Sequence, residues 1–223
     1  MAGSAIADGN GYSNYGASDG NIVLPPSGYI NGNHIKVTSN SIEELGYDDP
    51  SVGPGVVGDG MQLAGDTAPA SGGGFTYCYS LSGPASAWQQ VALVFIAWPQ
   101  SNVWGDGEID FMWAGDQSGV ANWDIVEADG CTSTCQVLAQ GTYPSAAPGT
   151  GDHTVSVLWK AGSGDSFYVD GQYVTTVPTS TVGTPRGSEV PVMQMQDMCQ
   201  CSSASASSPL TASLYWIATY AAS

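Results

Sequence analysis

The residues best placed to do chemistry are two carboxylates one position apart, Glu108 and Asp110, in the segment WGDGEIDFMWAGD (Trp104–Asp116). In an extended chain Glu108, Asp110 and Met112 point to one face, and Ile109, Phe111 and Trp113 to the other. The apolar set belongs in a core. The two carboxylates then lie side by side on the opposite face, about 7 Å apart at Cα. Acids that close raise one of the two pKa values, and they suit a nucleophile assisted by a neighbour that shares its proton. By pattern alone the solvated polar face of an ordinary strand is the commoner explanation, because an E-x-D pair is a weak signal.

Other polar groups are candidates for the same face. In Ala121–Glu127, Trp123 and Ile125 suit a core, which turns Asn122 and Asp124 to the carboxylate side. Met193 and Met195 alternate with Gln194 and Gln196, so the Met pair suits the core and the Gln pair an open face. A Met/Cys copper cluster is the remote alternative. Trp104, in the loop before the carboxylates, and Trp113, if a bulge exposes it, have the apolar body and polar N–H tip that suit a half-wet binding contact. Unbulged alternation buries Trp113 instead. Trp98, Trp159 and Trp216 lie on faces that read as buried.

The elements that must hold these residues read as strands. Phe75–Leu81 and His153–Trp159 alternate with period two, and Val91–Trp98 is an apolar run of strand length. Ser166–Val169 runs into Asp170-Gly171, a strong hairpin signal, with Tyr173–Val177 as the return strand. Val190–Gln196 and Ser213–Tyr220 complete the set. The best helical signal, Ser41–Leu45, is worth one turn at most. Gly and Ser clusters at 1–20, 50–74 and 202–208 read as loops, and no linker divides the 223 residues, so one all-β domain over 1–223 is expected.

Charge narrows the partners. Three basic residues, Lys36, Lys160 and Arg186, stand against 20 acidic ones, a formal net charge of −17. Such a field repels phosphate backbones and anionic lipid surfaces, so nucleic-acid and membrane partners are excluded and a neutral polymer is the compatible one. Solubility outside a cell explains the acidity equally well. No run of 18 apolar residues is present to span a bilayer. The opening MAGSAIADGNG lacks the basic and apolar regions of a signal peptide. CTSTC (Cys131, Cys135) and CQC (Cys199, Cys201) suit oxidised loops in an extracellular protein better than a zinc site, with Cys78 left as an odd, buried thiol. No cofactor is indicated, although the acidic loops at Asp48-Asp49 and Asp59 can hold a structural Ca²⁺.

Taken together, VALVFIAWPQSNVWGDGEIDFMW (Val91–Trp113) resembles the catalytic strand and preceding strand of the family 16 glycoside hydrolases. HTVSVLW…FYVDGQYVTTV (His153–Val177), PVMQMQ (Pro191–Gln196) and LYWIATYA (Leu214–Ala221) are similar, in order and spacing, to that family's later strands. The resemblance covers 75–221; residues 1–74 match loosely, as a terminal strand pair with long loops. It implies a jelly-roll sandwich of two antiparallel sheets of the concanavalin A-like lectin/glucanase type, with a concave cleft for β-linked glucans or galactans. It also implies that Glu108 is the nucleophile and Asp110 its assistant.

One member of the family's E-x-D-x-E or E-x-D-x-x-E motif is absent. The third carboxylate, the acid/base, is replaced by Met112 in the shorter form and by Trp113 in the longer one, where a β-bulge turns that residue into the cleft. Asp124 is the leading substitute and Glu127 the second. Two functions follow: an endo-β-glycanase with a displaced acid, or a non-catalytic glycan-binding or surface and virion adhesion protein on the same fold.

Overall fold

The computed structural model describes residues 4–5, 12–14, 35–37, 42–46, 58–63, 67–82, 91–101, 103–114, 122–126, 136–143, 152–197 and 210–221. Fifteen strands are described: β1 (Ser4–Ala5), β2 (Tyr12–Asn14), β3 (Ile35–Val37), β4 (Ile42–Gly46), β5 (Gly58–Leu63), β6 (Gly72–Ser82), β7 (Val91–Pro99), β8 (Ile109–Ala114), β9 (Asn122–Val126), β10 (Val137–Thr142), β11 (Asp152–Lys160), β12 (Gly164–Val169), β13 (Gln172–Val177), β14 (Glu189–Asp197) and β15 (Leu210–Ala221). The only α-helix among the described residues is α1, Thr179–Val182. No helix there is long and apolar enough to cross a membrane.

The strands form two antiparallel sheets. The first runs β13-β12-β11-β6-β15-β4-β3, with β1 also on β15; the second runs β10-β9-β8-β7-β14-β5-β2. Alternation explains how they pack. Phe75, Tyr77 and Tyr79 of β6, Val155, Val157 and Trp159 of β11, and Phe167 of β12 meet Phe95, Phe111, Trp123 and Met193 of the second sheet in one buried core. Rings lock the layers together: Tyr77 lies 4.5 Å from Phe95 and 5.1 Å from Phe111, and Trp123 stacks on Phe167 at 4.3 Å. The β12–β13 hairpin closes on Asp170 and Gly171 at φ 48° and 73°, the two left-handed positions that a two-residue type I′ turn requires.

Several expectations are revised. Ser41–Leu45 contributes no helix: Ile42–Gly46 is β4, paired with β3 and with Leu210–Leu214 of β15. Glu43 and Glu44 favour helix only weakly, and backbone pairing to β15 outweighs that preference. Residues before 64 supply five short strands shared between both sheets, not one terminal pair. Asp59 lies within β5, not in a loop. Cys78 is half-buried, on the outward parity of β6, and its thiol is free. Trp159 is buried, whereas Trp216 is only half-buried. Cys131, Cys135, Cys199, Cys201, Asp48, Asp49 and Glu127 lie outside the described residues.

Candidate active site

The carboxylates enter from a tightly held loop. Trp104–Asp106 forms one 3-10 turn, closed by Asp106 N–H donating to Val103 O at 2.9 Å, and Ser101 Oγ donates to Asp106 Oδ2 at 2.6 Å. The segment before β14 clamps both ends of this loop. Gln100 N–H donates to Ser188 O at 2.8 Å, and Arg186 N–H donates to Asp106 O at 2.7 Å. Gly107 then takes φ 122°, a backbone that a side chain would strain, and delivers Glu108 to the start of β8. Glu108 is half-buried, while Asp110 is 4% exposed.

β8 does not run regularly past Asp110. Against β7, Ile96 pairs with Asp110 but its neighbour Phe95 pairs with Met112. Against β9, Asp110 pairs with Asp124 and the next pairing joins Trp113 to Asn122. Both neighbours therefore register one extra residue in β8 at Phe111–Met112, a β-bulge. Its carbonyl is accounted for: the buried Tyr143 hydroxyl donates to Phe111 O at 2.6 Å. After the bulge, position 113 stands opposite Val94, two residues along β7 from the Ile96 that opposes Asp110. Position 113 thus shares its pleat parity with Asp110.

That face of the second sheet carries its own apolar cluster, Val94, Ile96, Trp98, Val190 and Val192, each at most 8% exposed. Trp98 belongs to it and not to the main core. Continuing the β7–β8 register one step sets Trp98 opposite Glu108. An apolar run buried on both faces has no periodicity by which sequence can assign Trp98 a side. Gln194 registers opposite Val94 and Gln196 opposite Ala92, while Met193 is in the main core. Trp123 and Ile125 are in the main core as expected.

One acid near this site escapes a reading by motif. Glu189, at the head of β14, is fully buried, and neither carboxyl oxygen has a hydrogen-bond partner. Its backbone exchanges hydrogen bonds with Ala68 at 2.8 and 2.9 Å. Burial pushes its pKa up to about 10, with the charges of Asp106, Asp165 and Glu108 adding to the effect. Burial likewise lifts Asp165 to about 7. Glu189 shares its parity with core-facing Met193, so it lies on the core side of β14 and not on the carboxylate face. The period-two pattern Glu189-x-Pro191-x-Met193 is the signal that marks it as core-facing. Among the described residues no three His, Cys, Asp or Glu converge on a metal position.

No family model matches this chain, and no curated protein matches it. Solved structures do. A family 16 glycoside hydrolase of the Bacteroides ovatus mixed linkage glucan PUL, solved with a product, superposes with a TM-score of 0.63 at 12% identity, covering 83% of this chain and 85% of that one. A Bacillus licheniformis beta-glucanase gives 0.58 at 16% identity, covering 85% and 83%. A beta-1,3-glucanase from Mycobacterium marinum gives 0.57 at 14% identity, covering 83% and 77%. The fold is the jelly roll of the family 16 glycoside hydrolases, as the resemblance implies.

Proposed function

We propose that this chain is a retaining endo-β-glycanase acting on a neutral β-glucan or galactan, with an atypical acid. The observation that carries this reading is Glu108 at the mouth of β8, Asp110 two residues on and the one-residue bulge after it, on the fold of glucan-cleaving enzymes. Glu108 attacks the anomeric carbon, the glycosidic C–O bond breaks, and water later hydrolyses the glycosyl ester. Asp110, nearly excluded from solvent, assists by sharing the nucleophile's proton. Trp104, Trp113, Asn122, Gln194 and Gln196 are the proposed sugar contacts. No cofactor enters this chemistry.

The leaving oxygen needs a proton, and Asp124 is the proposed donor. It registers opposite Asp110 and diagonal to Glu108, while position 113 is opposite Asn122. A net charge of −17 favours an uncharged polymer as substrate, and polymeric glycan implies an extracellular setting. The second reading, a non-catalytic glycan-binding protein, is favoured by one observation: position 113, which shares the parity of Asp110, holds a tryptophan and not an acid.

The test is reducing-end release across a panel of neutral β-glucans and galactans, with binding measured on the same panel. Glu108→Gln should abolish release and retain binding, because Gln keeps the shape but cannot attack. Unchanged turnover in that variant removes Glu108 as nucleophile. Binding without release in wild type establishes the second reading.

A further inference from the structure

The first sheet turns a second face outward, away from the core and from the Glu108 sheet. Three of its strands, β6, β13 and β15, of 11, 6 and 12 residues, contain no Asp, Glu, Lys, Arg or His. In β12 the one acid, Asp165, faces inward and is buried. In β11 the outward charges, Asp152 and Lys160, stand at the two ends. Between those ends the outward positions of β6, β11 and β12 carry the hydroxyls of Thr76, Ser80, Thr154, Ser156 and Ser166 and the ring of Tyr168, beside Cys78 and Leu158.

Register aligns them. Tyr173 pairs with Tyr168, Tyr168 with Ser156, and Ser156 with Thr76, one row across four strands. Thr76 Oγ1 lies 2.7 Å from Ser156 Oγ and 3.0 Å from the Tyr220 hydroxyl. In the next row Ser166 Oγ lies 2.7 Å from Thr176 Oγ1, which also accepts from Tyr173 OH at 3.2 Å. Tyr173 is 60% exposed, and Tyr168 meets it edge-on at 5.8 Å.

We propose that this outer face is a second binding surface for a neutral polysaccharide, centred on Tyr173. The chemistry matches on both counts. Each hydroxyl is donor and acceptor at once, and those of Tyr173 and Thr176, on exposed residues, retain capacity for a sugar hydroxyl, while the Tyr173 ring offers an apolar platform with a polar tip to a pyranose C–H face. Charge selects the occupant. Anionic polymers and a second copy of a chain of −17 are repelled, and the Tyr173–Tyr168–Ser156–Thr76 row itself holds no carboxylate for a cationic one, Asp152 standing at the end of β11. The surface shares only its ligand class with the proposed function and does not depend on turnover.

Native electrophoresis in gels containing mixed-linkage β-glucan, laminarin or a neutral galactan tests it, with Glu108→Gln protein so that the gel is not digested. Retardation by at least one of these glycans is expected, unchanged by added salt. Tyr173→Ala should weaken it about fivefold, the equivalent of one exposed aromatic contact. Thr176→Asp, which puts a charge into the row, should weaken it at least as much, with melting temperature confirming that both variants fold. Retardation equal to wild type in both variants, or retardation by none of the glycans, overturns the proposal. A concentration-dependent dimer abolished by Tyr173→Ala overturns it too, in favour of an interface between copies. Turnover surviving Glu108→Gln would instead sink the catalytic reading and leave this one standing.

Discussion

The hydroxyl of Tyr143 donates to the carbonyl of Phe111 at 2.6 Å, at the residue where β8 carries its extra position. A bulge leaves a backbone group outside the ladder, and a buried carbonyl without a donor costs about 1–3 kcal/mol. Tyr143, just past the end of β10, supplies that donor from the core side. Two residues earlier, Gly141 lets the Trp123 ring lie directly on β10, because a Cβ there would clash with that ring.

Tyr143→Phe should therefore lower stability by about 1–3 kcal/mol, several degrees in melting temperature for a chain of this size. It should also reduce turnover more than affinity, because the bulge sets the residues that follow Asp110. Thermal unfolding and a kcat-against-KM comparison check both. A variant as stable as wild type would show that the bulge needs no such donor.

Glu189 makes stability depend on pH with a definite sign. In the unfolded chain its carboxyl ionises near 4.5, whereas burial in the fold holds the proton to about 10. The folded state binds the extra proton, so the stabilisation is complete below pH 4.5 and is lost as pH rises towards 10. Asp165 adds the same trend between 3.8 and about 7. Glu189→Gln should flatten the fall by up to about 1.4 kcal/mol per pH unit between pH 5 and 8. Denaturant unfolding at four pH values measures it, and identical slopes in the two proteins would refute the assignment.

The fold was largely legible because period two survives wherever one face is buried and the other is not. Phe75–Leu81 and His153–Trp159 lie within β6 and β11, with β6 beginning three residues earlier at Gly72, and Asp170-Gly171 is the turn of the β12–β13 hairpin. Patterning failed where pairing decides. β4 is a strand because β15 needs a neighbour there, and β10 (VLAQGT) carries no clean alternation. The carboxylate pair was legible as an E-x-D pattern. The bulge was open in sequence, since Met112 and Trp113 are both apolar and only the two neighbouring strands' registers select position 113. Tyr143 has no motif at all; its role depends on a contact between residues 32 positions apart.

Asp124 separates a working enzyme from one that lacks an acid. If it protonates the leaving group, Asp124→Asn should lower kcat on natural β-glucans by about 10²–10⁴-fold. The kcat/KM on a dinitrophenyl β-glycoside, which reports ester formation with a leaving group that needs no proton, should change little, while its kcat falls because the carboxylate no longer takes the proton of the attacking water. The basic limb of the pH profile should vanish with the carboxyl. Equal losses of kcat/KM on both substrates would mark Asp124 as structural, a partner in the β8–β9 pairing and nothing more.

Trp113→Glu is the complementary experiment. The bulge gives position 113 the parity of Asp110, so a carboxyl there restores E-x-D-x-x-E on a backbone already shaped for it. If the chain lacks only a proton donor, this one substitution should raise release from natural β-glucans by about 10²-fold or more, the scale of general acid catalysis. The gain should disappear in Trp113→Glu combined with Glu108→Gln, because an acid without a nucleophile cannot form the glycosyl ester. Activity on dinitrophenyl glycosides separates the outcomes. Wild type active there but idle on glucans, with the substitution rescuing glucan release, means an enzyme missing its acid. A folded Trp113→Glu protein that releases nothing, from a wild type inactive on both substrates, means a glycan-binding protein whose tryptophan stands where the acid would be.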